Sequence, residues 1–341
     1  MRILIPYDGS RNSLSALRLL ATMALNPNSD ILILKVVSKK GNFLHIPGFD
    51  DDPVRNQDEI NSQSMVLREL ASELSLWQRD CNINYRIHFG KPAESILEVS
   101  QEWKADLIIL GPKRTQSSTH HFYMGSVSKE VTDKANAPVL IVKPTEDVLE
   151  GEMGRLGYRV LVPIDGSLYS YYTISWLATQ VWKQGTEFKI LTAIPEFKEM
   201  TENPIGQYDP GLISQWAVMK EKAFESLEEH AFKLAEQVGL ENVSIDVEPG
   251  EPKKMIERVA SDWQPDIIAM GSPRASGINQ ILHSDVPTHI AGRANCSILI
   301  VKRPGQGKVK KDESGIKQAL ASVMDAPPEN TNAEPPHAVM Y

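Results

Sequence analysis

ILIPYDGS at residues 3–10 and VLVPIDGS at residues 160–167 are one motif written twice. Each is a short apolar run closed by proline, then one further residue and Asp-Gly-Ser. Asp8 and Asp165 stand 157 residues apart, and other anchors follow in the same order. Gly90 in FGKPAESI answers to Gly250 in PGEPKKMI, and Gly111 in DLIILGPKR to Gly271 in DIIAMGSPR, both at an offset of 160. Val142 in PVLIVK answers to Val301 in SILIVK at 159. Solenoid repeats run about 20–50 residues, so a period near 160 marks a duplicated, full-sized domain.

Within the first copy, Ile3–Pro6, Ile31–Val37, Tyr85–Phe89, Leu107–Leu110 and Val139–Val142 read as strands. In the second copy the strands fall at Val160–Ile164, Glu187–Ala193, Val243–Val247, Ile267–Met270 and Ile298–Val301. Their apolar residues run on without alternating, the habit of strands covered on both faces, as in a parallel sheet. Helical patterns fill the gaps at Ser13–Leu25, Asn56–Gln78, Ala93–Trp103 and Ser126–Ala135. In the second half, Phe224, Leu227, Ala231, Leu234 and Val238 fall on one helical face. Strand–helix alternation of this kind predicts two doubly wound α/β domains. Each is a five-stranded, mainly parallel, Rossmann-like sheet with helices on both faces.

The predicted domains are residues 1–144 and 157–304, joined by an acidic linker at 145–156 (TEDVLEGEMGRL). Residues 305–341 turn to Lys, Asp, Glu, Pro and Asn, with too little to bury, and read as a disordered tail with room for a short helix at Ile316–Met324. The apolar final strands PVLIVK and SILIVK would be hazardous as open edges.

A net charge of −8 on 341 residues argues against a general nucleic-acid binder or a protein drawn to anionic membranes, both of which need a basic face. Cys81 and Cys296, one per half at non-equivalent places, fit a reducing compartment better than a disulfide framework. Pro6 and Asp8 interrupt the N-terminal apolar run at once, leaving no signal core, and every apolar run is strand-length. The expectation is a cytoplasmic protein.

In open parallel sheets ligands bind beyond the carboxyl ends of the strands. Asp8, Asp165, Gly111 and Gly271 all fall there. Two readings stand for the Asp-Gly-Ser segment: a turn with a helix N-cap, or a ligand contact. Likewise Gly111 and Gly125-Ser126 either shape a turn and a cap, or let a phosphate approach backbone N–H groups at a helix N-terminus, with Lys113 and Arg114 to neutralise it. The chain has no G-x-x-x-x-G-K-[ST], and one glycine after the first strand is too few for G-x-G-x-x-G. His120-His121 lack a ligand set, His283 and His289 carry no recognisable partner, and the six tryptophans read as packing residues. No metal site and no catalytic constellation is expected.

P-x-D-x-S after the first strand, G-x-P-x-x-x-I, a strand ending in glycine and a loop into GSVSKEV…APVLIVK together resemble the universal stress protein family. The resemblance covers both halves and implies a tandem member of the family, a non-enzymatic stress-response protein. It also implies pairing of the two halves through their last strands within one chain, with a homodimer left open.

ATP-binding members carry G-x-x-G, nine residues, then G-[ST]. In this chain Gly111 is kept, Arg114 replaces the middle glycine, and ten residues precede Gly125-Ser126. Carried over position by position, a nucleotide (ATP, with Mg) would meet Pro6, Asp8, Val36, Gly111, Lys113, Arg114, Gly125, Ser126 and Val127. The second-half counterparts are Asp165, Ala193, Gly271, Arg274, Ser284 and Asp285, a degenerate set in which Asp285 sets a carboxylate where a phosphate would sit. Three readings follow: a stress protein with a degenerate site, an ATP-binding switch with slow hydrolysis in the first half, or a structural partner with no ligand.

Overall fold

In the computed structural model, residues 1–38, 53–111, 124–143, 157–196, 210–272 and 285–302 are described, with backbone alone at 53–59, 210–212 and 285. The linker, the tail and its short helix lie outside these residues.

All ten strands form. The first repeat runs β1 (Arg2–Pro6), α1 (Arg11–Thr22), β2 (Asp30–Val37), α2 (Pro53–Trp77), β3 (Asn82–Phe89), α3 (Pro92–Glu102), β4 (Leu107–Leu110), α4 (Ser126–Lys134) and β5 (Val139–Ile141). The second runs β6 (Arg159–Pro163), α5 (Leu168–Leu177), β7 (Glu187–Ile194), α6 (Pro210–Val238), β8 (Val243–Pro249), α7 (Pro252–Trp263), β9 (Ile267–Ser272), α8 (Asp285–Arg293) and β10 (Ser297–Lys302).

They join in a single ten-stranded sheet, ordered β3-β2-β1-β4-β5-β10-β9-β6-β7-β8. Every pairing within a repeat is parallel. The seam is antiparallel: Ile298 faces Ile141, Leu299 faces Leu140 and Ile300 faces Val139. Each repeat thus covers the other's last strand, removing two apolar edges. Antiparallel joining also points the carboxyl ends of the two half-sheets in opposite directions.

One face of the sheet carries α1, α2, α5 and α6 over a continuous core that includes Ile3, Ile5, Leu20, Leu140, Leu227 and Leu299. The other is split into a first-repeat cluster around Val99, Ile108 and Val131 and a second-repeat cluster around Ile256, Ile268 and Ile290, with Met124 packed against both. On α6 the buried face is Met219, Ala223, Leu227, Ala231 and Leu234. Phe224, assigned to that face from periodicity, is instead 41% exposed. The helix therefore buries its small Ala223 against the sheet and turns the large ring outward. Trp77, read as packing, is also largely exposed at the end of α2.

Candidate functional site

In the first repeat, β2 and β3 lie on one side of β1 and β4 and β5 on the other, so the strand order reverses between β1 and β4. Crevices at such reversals are where open α/β sheets take ligands. A cleft of about 480 Å³ opens there, lined among the described residues by Pro6, Asp8, Val36, Gly111, Gly125, Ser126 and Val127. These are all of the first-half candidates that can be placed. Lys113 and Arg114 fall outside the described residues.

Gly9 makes the turn after β1 with φ +89°, a conformation that favours glycine. Asp8 Oδ1 accepts from the Ser10 N–H at 2.9 Å and from the Ser13 hydroxyl at 2.8 Å. Ser10 in turn caps α1, its Oγ accepting from the Ser13 N–H at 3.2 Å. The turn-and-cap reading therefore holds, and the same turn hands Asp8 to the cleft. From the next strand, Lys35 Nζ donates to the Asp8 carbonyl at 3.0 Å. Burial pushes the Asp8 carboxyl up, but the Ser10 and Ser13 hydrogen bonds and the Lys35 charge outweigh it and hold it below its ordinary value. Asp8 is anionic at neutral pH, an acceptor for hydroxyls and a weak base.

Val36 contributes through its backbone. Tyr7 N–H bonds to the Leu34 carbonyl, so alternate residues of β2 turn their backbone groups toward β1. By parity Val36 does so too, beyond Pro6 where β1 ends. Leu34, Val36, Pro92 and Ile96 make the apolar wall beside it.

The opposite wall is the N-terminus of α4. Its N-cap is Gly125, with ordinary backbone angles (φ −63°, ψ 160°) and no side-chain capping bond. First-turn N–H groups have no intrahelical acceptor, and together with the helix dipole they favour an anion. Ser128 ties this turn down, its hydroxyl donating to the Gly111 carbonyl at 3.2 Å. Gly111 has a packing reason to be glycine: a Cβ there would sit 2.5 Å from the Asn12 carbonyl and 2.9 Å from Ser13 N. The close approach that its position suggested is to α1.

The second-half candidates are less well assembled. Asp165 Oδ1 accepts from the Ser167 N–H at 3.0 Å, but Ser170, which like Ser13 bonds to the carbonyl three residues before it, makes no bond to the Asp165 carboxylate. Thr192, beside Ala193, occupies the place of Lys35 and donates to the Ile164 carbonyl at 2.9 Å. Gly271 repeats the packing of Gly111, against Tyr169 and Ser170 of α5. Arg274 and Ser284 lie outside the described residues, and Asp285 is the first residue of α8.

Ser13, Pro92 and Ile96 line the first-half cleft although they were not among the candidates. A signal for two of them was present, since Pro92 and Ile96 belong to the duplicated G-x-P-x-x-x-I. His289 does have a partner, with Nε2 2.8 Å from Glu257 Oε1 across α7 and α8. Among the described residues no group of three or more His, Cys, Asp or Glu is placed to hold a metal, and no helix is long and apolar enough to cross a membrane.

The universal stress protein family model matches this chain twice, over residues 1–143 and 158–302. The chain belongs to that family. Single-repeat relatives bear this out. A stress response protein of Bacillus subtilis, NhaX, is 29% identical over 163 residues, 42% of this chain and 97% of that protein. A universal stress protein of Thermus aquaticus is 27% identical over 144 residues, 41% of this chain and 97% of its own. The whole tandem has a counterpart in the crystal structure of a universal stress protein from Archaeoglobus fulgidus. That likeness covers 89% of this chain and 98% of the other, at a TM-score of 0.60 and 21% identity, and it concerns the fold.

Proposed function

We propose that this universal stress protein is a nucleotide-responsive, non-enzymatic regulator. Its first repeat binds an adenine nucleotide, and its second repeat serves as a structural partner. One observation carries the reading: every placeable first-half candidate lines a single cleft at the sheet's reversal point, opposite an uncapped helix N-terminus. Phosphates would sit on the Ser126 and Val127 N–H groups, ribose hydroxyls on Asp8, and the base along Leu34, Val36 and Ile96 with hydrogen bonds to the Val36 backbone. Any Mg would be held chiefly by the phosphates, with Asp8 the only cleft carboxylate among the described residues. Binding rather than turnover is the activity proposed, because a carboxylate held low is a poor general base. A response to stress follows the naming of relatives such as NhaX. Cytoplasmic location, from the cysteine usage, belongs to the same proposal.

In the second repeat, Thr192 replaces Lys35, and α8 opens on the acidic Asp285, a residue type that disfavours a phosphate at that helix end. Calorimetric titration of the full chain with MgATP tests the reading. One equivalent is expected to bind, with at least a tenfold loss in Gly125→Val. No heat of binding, or equal affinity in that variant, would overturn it.

A further inference from the structure

Lys302 closes β10 and Lys143 follows two residues after β5, and both lysines are buried: Lys143 is 3% exposed and Lys302 2%. An ammonium taken out of water needs acceptors, and each finds them in the other repeat. Lys302 Nζ donates to the Asp133 carbonyl at 2.7 Å, in the last turn of α4. Lys143 Nζ donates to the Ala291 carbonyl at 3.0 Å and to the Ala294 carbonyl, at the end of α8. The antiparallel seam produces the exchange, because it carries the end of each strand past its partner to the helix beyond. Last-turn carbonyls have no acceptor role within their own helix, and a cation there complements the macrodipole.

The helix gripped by Lys302 is the one whose other end forms the first-repeat cleft. α4 has nine residues, so its ends are only about 13 Å apart. Ser128 fixes the N-terminal turn to Gly111, Val131 is buried in the middle, and Lys302 holds the C-terminal turn. We propose that Lys302 is a positioning residue for anion binding in the first-repeat cleft, acting across the seam through α4. The first repeat's site is then complete only with the second repeat in place. This rests on the nucleotide reading above. Lys143, by the same geometry, acts on α8 and leaves the first-repeat cleft alone, which makes it an internal control.

The experiment compares full-chain Lys302→Met, Lys302→Arg and Lys143→Met by MgATP affinity and by amide hydrogen exchange in α4 and α8. Lys302→Met is expected to weaken MgATP about three- to tenfold and to speed exchange in Ser126–Lys134. Lys302→Arg should recover part of both. Lys143→Met should speed exchange in Asp285–Arg293 and leave MgATP affinity unchanged. Should Lys302→Met not fold, Lys302→Gln, too short to reach Asp133, takes its place. Equal loss of affinity in the two methionine variants would overturn the proposal, as would unchanged exchange in α4. If the unmutated chain binds no MgATP, the nucleotide reading falls by itself. The exchange arm then decides: acceleration confined to α4 supports the positioning role, and its absence overturns it.

Discussion

The Ser13 hydroxyl lies 2.8 Å from Asp8 Oδ1 as well as 3.0 Å from the Ser10 carbonyl, whereas its counterpart Ser170 keeps the matching bond to the Ser167 carbonyl without one to Asp165. That one contact to the carboxylate separates two turns that the sequence writes as the same Asp-Gly-Ser. In the first repeat the carboxylate is braced by Ser10, Ser13 and Lys35; in the second, Thr192 stands where Lys35 would be.

Removing the Ser13 hydroxyl should let the Asp8 carboxyl rise toward its ordinary value. A depressed carboxyl stabilises the fold above its unfolded value, about 3.9, and that contribution is lost as pH falls through the lower folded value. Ser13→Ala should therefore cost more stability at neutral pH than at the acid end of the titration, where the loss of its bond to the Ser10 carbonyl remains. Carboxyl-carbon NMR titration of Asp8 in the two proteins checks this; an unmoved midpoint would show that Ser13 does not hold the charge.

The two cleft glycines should respond differently. Gly111→Ala drives a methyl into the Asn12 backbone, and overpacking of this kind costs about 1–3 kcal/mol. Gly125 has backbone angles that any residue can adopt, so Gly125→Val should leave denaturant stability within about 1 kcal/mol while removing MgATP binding. Urea titration alongside calorimetry separates the two effects.

The ten strands were legible because both-face burial leaves continuous apolar runs such as Leu107–Leu110 and Ile298–Val301, and duplication let each repeat check the other. Helix faces were less legible: Phe224 fits the 3.6-residue period, yet the sheet accepts the smaller Ala223 in its place. Around the cleft, the motif residues could be read but their supports could not. Lys35 lies on a strand and Ser13 on a helix, and only the fold brings them to Asp8. The lysine exchange had no sequence signal beyond two matching LIVK endings, since its meaning depends on the direction of the seam.

Leu140 and Leu299 face each other across that seam and are both buried. Truncating either to alanine should cost about 2–5 kcal/mol. The two losses should not add, because both variants empty the same space; a coupling of about 0.5–3 kcal/mol is expected from the double-mutant cycle. Additive losses would mean that the strands do not pack against each other in solution.

Lys143 predicts a pH dependence of the same sign as that of Asp8, in an alkaline window. Burial lowers its ammonium from 10.5 to about 8. Between these values the unfolded chain holds a proton that the folded chain has released, so this group adds stability as pH rises from about 8 to 10.5. The full effect is about 3 kcal/mol, at 1.36 kcal/mol for each pKa unit. Cys296 works against it. Burial pushes its thiol from 9 to about 12, so its contribution is complete below 9 and is lost as pH rises toward 12. Wild-type stability should accordingly climb between pH 8 and 9 and flatten above, where the two slopes oppose. Lys143→Met should remove most of the climb and leave the decline from Cys296, to which the raised Cys81 thiol adds. Urea unfolding at half-unit steps from pH 7.5 to 10.5 resolves the two curves. Parallel curves would show that the Lys143 ammonium titrates as it does in water, and that its bonds to the Ala291 and Ala294 carbonyls do not bury a charge.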